Sequence, residues 1–323
     1  MKPFKPTFFF KNRHLQTLYS SFFREDLKLE MEIETFELSD GDFVDCYWNN
    51  RDKEDTLRPI IVLFHGLEGS HKSPYIQGVM SEAKKEGFTT VLMHFRGCSS
   101  KENRLSRAYH SGATEDAHEW LDELSLRYPQ TKIFCAGYSI GGNMLLKLLA
   151  ERNEKRDIVA CVAISVPYLL HLPADVMEHG FAQIYQYNLI KSLKQNLLKK
   201  FDKHNMSQYI ELKRDEIEDI KTFWEFDNKY TAPVHGFSSA QDYYEKCSSR
   251  QFLKDIKTTT LLIHAKDDPF MVKEVIPKQE ELSNSLTLEL SDNGGHVGFI
   301  EGTLFKPEYW LEKRIISYFK EFI

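Results

Sequence analysis

An α/β fold on a mostly parallel sheet is predicted by three features of the sequence. Short apolar runs alternate with segments of helical length and amphipathic pattern from about residue 59 onward. Those runs are continuous rather than alternating, as strands buried on both faces must be. One long stretch, 166–250, interrupts the rhythm once with helical sequence rich in Lys and aromatic residues.

The elements follow in order. LEMEIETFEL alternates apolar and polar residues like a half-exposed strand, and FVDCYWN reads as a second. PIIVLF (59–64) is the first buried parallel strand, followed by a helix near 75–86 and the strand TTVLMHF (89–95). The next helix, 113–128, begins at Thr114 with acidic residues behind it, a helix-start pattern. KIFCAG (132–137), a helix from near Gly142 and IVACVAIS (158–165) complete the first run of βαβ units. After the interruption come TTTLLIHA (258–265), a helix, SLTLEL (285–290) and an amphipathic C-terminal segment, PEYWLEKRIISYFKEF. The core is therefore assigned to 1–165 and 251–323, with an N-terminal arm, and a helical lid insertion to 166–250. A helical block this late in the strand order belongs over the C-terminal edge of the sheet, where open α/β folds bind ligands.

Composition narrows the function. The chain has 323 residues, 41% hydrophobic and 28% charged, with a formal net charge of −6, and so carries no electrostatic footprint for nucleic acid. The cysteines number five, without CxxC pairs, which reads as reduced thiols in a cytoplasmic protein. The aromatic triplet Phe8–Phe10 is too short for a signal sequence or a spanning helix, and no later apolar run is long enough to span. No metal-ligand spacing occurs among the histidines, so neither metal nor cofactor is expected.

The chemistry sits in Gly137-Tyr138-Ser139-Ile140-Gly141, a GxSxG between an apolar strand and a helix. Such a strand-to-helix turn strains the serine backbone and leaves no room for side chains two residues either side. A serine needs a base and an orienting acid. Both follow in the expected chain order at strand ends: Asp268 before Pro269, with Asp267 as the close alternative, and then His296 after Gly294-Gly295. The oxyanion hole is assigned to the N–H groups of Ile140 and of Leu67, within His65-Gly66-Leu67-Glu68-Gly69-Ser70. His65 is read as structural.

With these motifs stand three more particular segments: Asn12-Arg13-His14-Leu15-Gln16-Thr17, FRGCSSKENRLSRAYHSGATED (95–116) and FDNKYTAPVHGFSSAQDYY (226–244). Together with HGLEGS, GYSIGGNM, AKDDPF and GGHVGF they make the chain resemble the YheT-like branch of the α/β-hydrolase fold, the AB hydrolase 4 family, over nearly its whole length. The resemblance implies Ser139 as nucleophile, Asp268 as acid, His296 as base, and an esterase or lipid-active acyl hydrolase acting on a small-molecule ester. An acyltransferase or thioesterase would use the same triad, and a non-catalytic lipid- or protein-binding relative is the alternative outside enzymes. Read from the residues alone, Arg13, His14, Arg96, Arg104, Arg107 and His110 form a polar network tying the N-terminal arm to the sheet edge. Asp227 and Tyr230 read as a tether between lid and core.

Within the insertion, Leu189, Leu193, Leu197 and Phe201 recur every four residues, with Lys191, Lys194, Lys199, Lys200 and Lys203 on other faces. This basic amphipathic helix is read as a packed lid helix with solvated lysines, against peripheral contact with an anionic membrane.

Overall fold

The computed structural model describes residues 2–323. Its main sheet has eight strands, β1 (Glu32–Glu37), β2 (Phe43–Asn49), β3 (Ile60–Phe64), β4 (Thr89–Met93), β5 (Ile133–Tyr138), β6 (Ile158–Ile164), β7 (Thr260–Ala265) and β8 (Leu286–Ser291). They lie in the order β1-β2-β4-β3-β5-β6-β7-β8. The pairs β1–β2 and β2–β4 are antiparallel, and all later pairs are parallel.

Period-two alternation sorts each strand between two cores. Ile60, Val62 and Phe64 of β3 face one cluster with Trp120, Leu121, Met144 and Leu145. Ile61 and Leu63 face the other, with Ile76, Val79, Met80 and Ile315. Helices α3 (Glu115–Arg127) and α4 (Ile140–Glu151) thus cover one face, while α2 (Pro74–Lys85) and the C-terminal α10 (Trp310–Phe319) cover the other. Both faces are buried, which is why the strands read as unbroken apolar runs.

Three features depart from the sequence reading. A helix, α1 (Arg13–Phe23), precedes the sheet, capped by Asn12, whose side chain accepts from the N–H groups of His14 and Leu15. Between β7 and β8 no α-helix forms, only single 3₁₀ turns at Lys273–Val275 and Gln279–Glu281. Pro269 and Pro277 break that segment. The start of the C-terminal amphipathic segment is extended: β9 (Ile300–Thr303) and β10 (Lys306–Tyr309) form a separate hairpin that the sequence reading did not assign, and α10 follows it.

Between β6 and β7 the chain holds no strand. It contains α5 (His171–Met177), α6 (Ala182–Lys203), the short turns α7 (Phe223–Phe226) and α8 (Ala232–Val234) around a π-helical turn at Asp227–Thr231, and α9 (Ala240–Cys247). The block has apolar clusters of its own, one built on Ile190, Leu197, Ile217 and Phe226. The lysines of α6 are largely engaged. Lys200 is buried and its ammonium reaches Asn103 Oδ1 and, at 2.7 Å, the Leu105 carbonyl. Lys194 pairs with Glu218 at 3.0 Å and Lys203 with Glu102 at 2.5 Å.

The polar network also differs from the reading. Arg96 gathers Asp116, Asp40 and Asp42, joining the β1–β2 turn to the start of α3, and Arg107 adds to Asp40. Arg104 pairs with Glu37. Arg13 and His14 are not members, because α1 docks elsewhere: His14 Nδ1 lies 3.1 Å from Tyr185 Oη on α6. Tyr230 donates to the Ser106 carbonyl at 3.3 Å, a contact between block and core.

Candidate active site

The segments that follow β3, β5, β7 and β8 meet at the C-terminal edge of the sheet. Ser139 follows β5 with φ 52° and ψ −121°, a conformation that L residues seldom adopt, and α4 begins at the next residue. The turn closes because Gly141 sits against β3. A Cβ there would lie 2.3 Å from the His65 carbonyl oxygen and 2.6 Å from that of Phe64. At Gly137 it would lie 2.6 Å from the Gly141 carbonyl oxygen. The flanking glycines of the motif are therefore steric necessities.

The loop after β3 runs past this turn. The Gly66 N–H donates to Tyr75 Oη at 3.0 Å and the Glu68 N–H to Tyr109 Oη at 2.9 Å. Between them the Leu67 N–H makes no hydrogen bond among the described residues, and neither does the N–H of Ile140 at the first position of α4. Glu68 extends the loop to the helical block, its carboxylate accepting from Ser192 Oγ at 2.5 Å and Asn196 Nδ2 at 2.8 Å on α6.

After β7 the two carboxylates diverge. Asp268 is 2% exposed and its Oδ2 lies 2.7 Å from His296 Nδ1, while its Oδ1 accepts from the Phe270 N–H at 2.9 Å. Asp267 turns to the loop backbone, accepting from the Gly295 N–H at 2.9 Å and from Asn293 Nδ2 at 3.2 Å. Burial raises its carboxyl above the ordinary range. His296 rests against the Phe270 ring, centroids 4.3 Å apart.

His65 is fully buried, with Nδ1 2.7 Å from the Gly66 carbonyl and Nε2 accepting from the Phe95 N–H at 3.1 Å. Desolvation lowers it to about 4, so it is a neutral structural ring.

Two supports were missed in the sequence. Thr17 Oγ1 accepts from the His296 N–H at 3.0 Å and donates to the Arg13 carbonyl at 2.8 Å, and buried Gln16 brackets Ile300, donating to its carbonyl at 3.0 Å and accepting from its N–H at 2.7 Å. Helix α1 thus backs the histidine loop. That loop crosses it so closely that a Cβ on Gly295, at φ 58°, would meet the Arg13 carbonyl oxygen at 2.7 Å. The signal was present: Leu15, Leu18, Tyr19, Phe22 and Phe23 follow helical spacing behind the Asn12 cap.

Ser139, His296, Leu67 and Ile140 all line one cavity of about 560 Å³, enclosed by α1, α5, α6 and the 226–244 segment. Asp227 also lines it, bonded at 2.6 Å by Tyr244 Oη and with no cationic partner among the described residues. Desolvation pushes it up to about 6. Its folded value exceeds the ordinary 3.8, so its charge costs stability that grows as pH rises from about 4 to about 6. Asp227→Asn is accordingly expected to raise the Tm near pH 7 and leave it little changed near pH 4, measured by thermal unfolding at both.

Comparison with known proteins places these features in context. Residues 59–303 match the family described as alpha/beta hydrolase fold. The chain is 44% identical to YheT of Escherichia coli (strain K12), a protein named as an esterase, over 95% of this chain and 89% of that one. It is 26% identical to the monoacylglycerol lipase of Saccharomyces cerevisiae (76% of this chain, 56% of the relative) and 25% identical to human phospholipase ABHD3 (95% and 75%). The Pyrococcus furiosus esterase Pf2001 aligns with 100% of this chain and 98% of its own at a TM-score of 0.59 and 17% identity, a likeness of fold. No helix of the described residues is long and apolar enough to cross a membrane. The chain is a carboxylic ester hydrolase of the α/β-hydrolase family and belongs to its YheT-like branch.

Proposed function

We propose that ester cleavage proceeds through an acyl-enzyme on Ser139. Ser139 Oγ attacks the acyl carbonyl as its proton passes to His296 Nε2. Asp268 accepts from His296 Nδ1–H, fixing the tautomer that leaves Nε2 free as base, and the N–H groups of Leu67 and Ile140 receive the developing oxyanion. Collapse breaks the ester bond, and the imidazolium protonates the departing alcohol. Water, deprotonated by His296, then attacks the acyl carbon and releases the carboxylic acid, restoring the serine.

The observation that carries this reading is the 2.7 Å Asp268–His296 pair opening on the same cavity as a serine held at positive φ. Two backbone N–H groups left without partners beside that serine support the oxyanion assignment. An apolar cavity lined by Leu170, Met177, Leu189, Leu193, Phe223 and Tyr230 supports an acyl chain as the occupant, and the lipase and phospholipase relatives point the same way. The helical block at 166–250 is assigned the part of a lid over that chain.

A fluorophosphonate probe read by intact mass tests the reading. One adduct on the wild type and none on Ser139→Ala is expected. A wild type that stays unlabelled, or an adduct that survives Ser139→Ala, overturns it.

A further inference from the structure

The N-terminal arm stands apart from the chain in charge and in exposed surface. Residues 2–24 hold Lys2, Lys5, Lys11, Arg13 and Arg24 and no carboxylate, in a protein whose net charge is −6. Arg24 is paired with Glu312. The other four are exposed, as is Lys306 on the hairpin, and none of their side-chain cations pairs with a carboxylate among the described residues, although the Lys5 backbone N–H donates to Glu301 at 2.7 Å.

The same arm exposes large apolar rings. Phe8 and Phe9 lie before α1, and Phe22 and Phe23 end it, at 81%, 58%, 73% and 67% exposure. Exposed rings and side chains on two neighbouring elements continue the surface. On α6 and the residue before it, Phe181, Ile184 and Tyr187 recur every three residues on one helix face, and Phe305 stands 99% exposed at the tip of the β9–β10 hairpin.

These elements are in contact. The His14 and Phe181 rings are 4.3 Å apart, Leu18 packs in the cluster of Met177, Ala182 and Tyr185, and Tyr19 Oη bonds the Leu304 carbonyl beside Phe305. The cavity reaches the surface here: Ser21 and Phe22 of α1 and Asn188 of α6 are exposed and also line it.

A soluble protein gains nothing by exposing so many rings around one opening, and aromatic side chains beside unpaired lysines are what a bilayer interface with anionic head groups accepts. We propose that the N-terminal arm, the start of α6 and the hairpin tip form a docking face for an anionic lipid surface, set around the mouth of the cavity. An acyl ester then passes from the bilayer between α1 and α6 without crossing water. The face differs from the lysine stripe of α6, whose cations are mostly engaged within the protein. The passage of substrate rests on the hydrolase reading above, but binding of the surface does not.

Sedimentation with vesicles of phosphatidylcholine and phosphatidylglycerol in equal parts tests the face at low salt. The wild type is expected to co-sediment, and to do so far less with phosphatidylcholine alone. Two variants spare the cavity lining: Phe8→Ser/Phe23→Ser/Phe305→Ser removes rings, and Lys5→Glu/Lys11→Glu reverses charge. Each is expected to weaken binding about tenfold or more, while a control on remote exposed side chains, Leu57→Ser/Leu126→Ser, leaves it unchanged. Hydrolysis of a water-soluble ester should be equal in all. A wild type that stays in the supernatant overturns the proposal, as does binding that all variants keep, or light scattering showing that the rings bury themselves in a dimer. Vesicle binding by an enzyme inactive on every ester would instead sink the hydrolase reading and leave the docking face standing.

Discussion

Asp268→Asn is expected to lower kcat on a soluble ester by about four orders of magnitude. The Phe270 N–H occupies one oxygen of the side chain, so an amide there must keep its oxygen on Phe270 and turn its NH₂ toward His296 Nδ1. That nitrogen then has to accept, which moves the ring proton to Nε2 and removes the base from the serine. Asp267→Asn keeps an oxygen for the Gly295 N–H and disturbs only the contact with Asn293, so a loss of about tenfold or less is expected. Steady-state kinetics on both, with thermal unfolding to confirm folding, separate the neighbours. A larger loss at Asp267 would transfer the acid to that residue.

The largest expected loss of stability lies at Arg96, one of the residues lining the cavity. The residue is 4% exposed, and its guanidinium holds Asp116 by two bonds of 2.7 and 2.6 Å, with Asp40 at 2.7 Å and Asp42 at 3.1 Å. Burial opposes its charge, yet the carboxylates hold it protonated above the usual arginine range. Arg96→Leu leaves Asp42 and Asp116 buried without their cation, an imbalance that costs about 3–5 kcal/mol. For a domain of this size the Tm should fall by roughly 10 °C, as circular dichroism would register. Adding Asp116→Asn should return part of the loss, since one of the stranded charges then disappears.

The parallel strands were legible because each is buried on two sides, leaving runs such as IIVLF and IVACVAI without a polar residue. The candidate serine, the acidic pair and the candidate histidine could be picked out because strand ends, glycine pairs and chain order are local properties. The choice between Asp267 and Asp268 was not, since it depends on which carboxylate meets a loop arriving from beyond β8. The part played by Thr17 was hidden for the same reason: its hydroxyl meets His296 across 279 positions of sequence. The lysines of α6 misled most readily. Spacing along a helix shows which residues share a face, whereas Asn103, Glu102 and Glu218, which occupy three of those lysines, come from other segments.

Glu68 joins two parts that are otherwise discussed apart. Its carboxylate is held by Ser192 and Asn196 of α6, and its own N–H, one peptide beyond Leu67, is held by Tyr109. Hydrogen bonds to a charged group are worth about 1.5–3 kcal/mol each, so loss of α6 would strip this half-buried carboxylate of two donors, while Tyr109, which donates to it at 3.0 Å and accepts from its N–H, remains. Glu68 thus ties α6 to the loop that carries the Leu67 N–H, and that loop keeps a second anchor on Tyr109. A change at Ser192 or Asn196 would therefore reach the peptide next to Leu67 through a single side chain, with Tyr109 still holding that peptide in place.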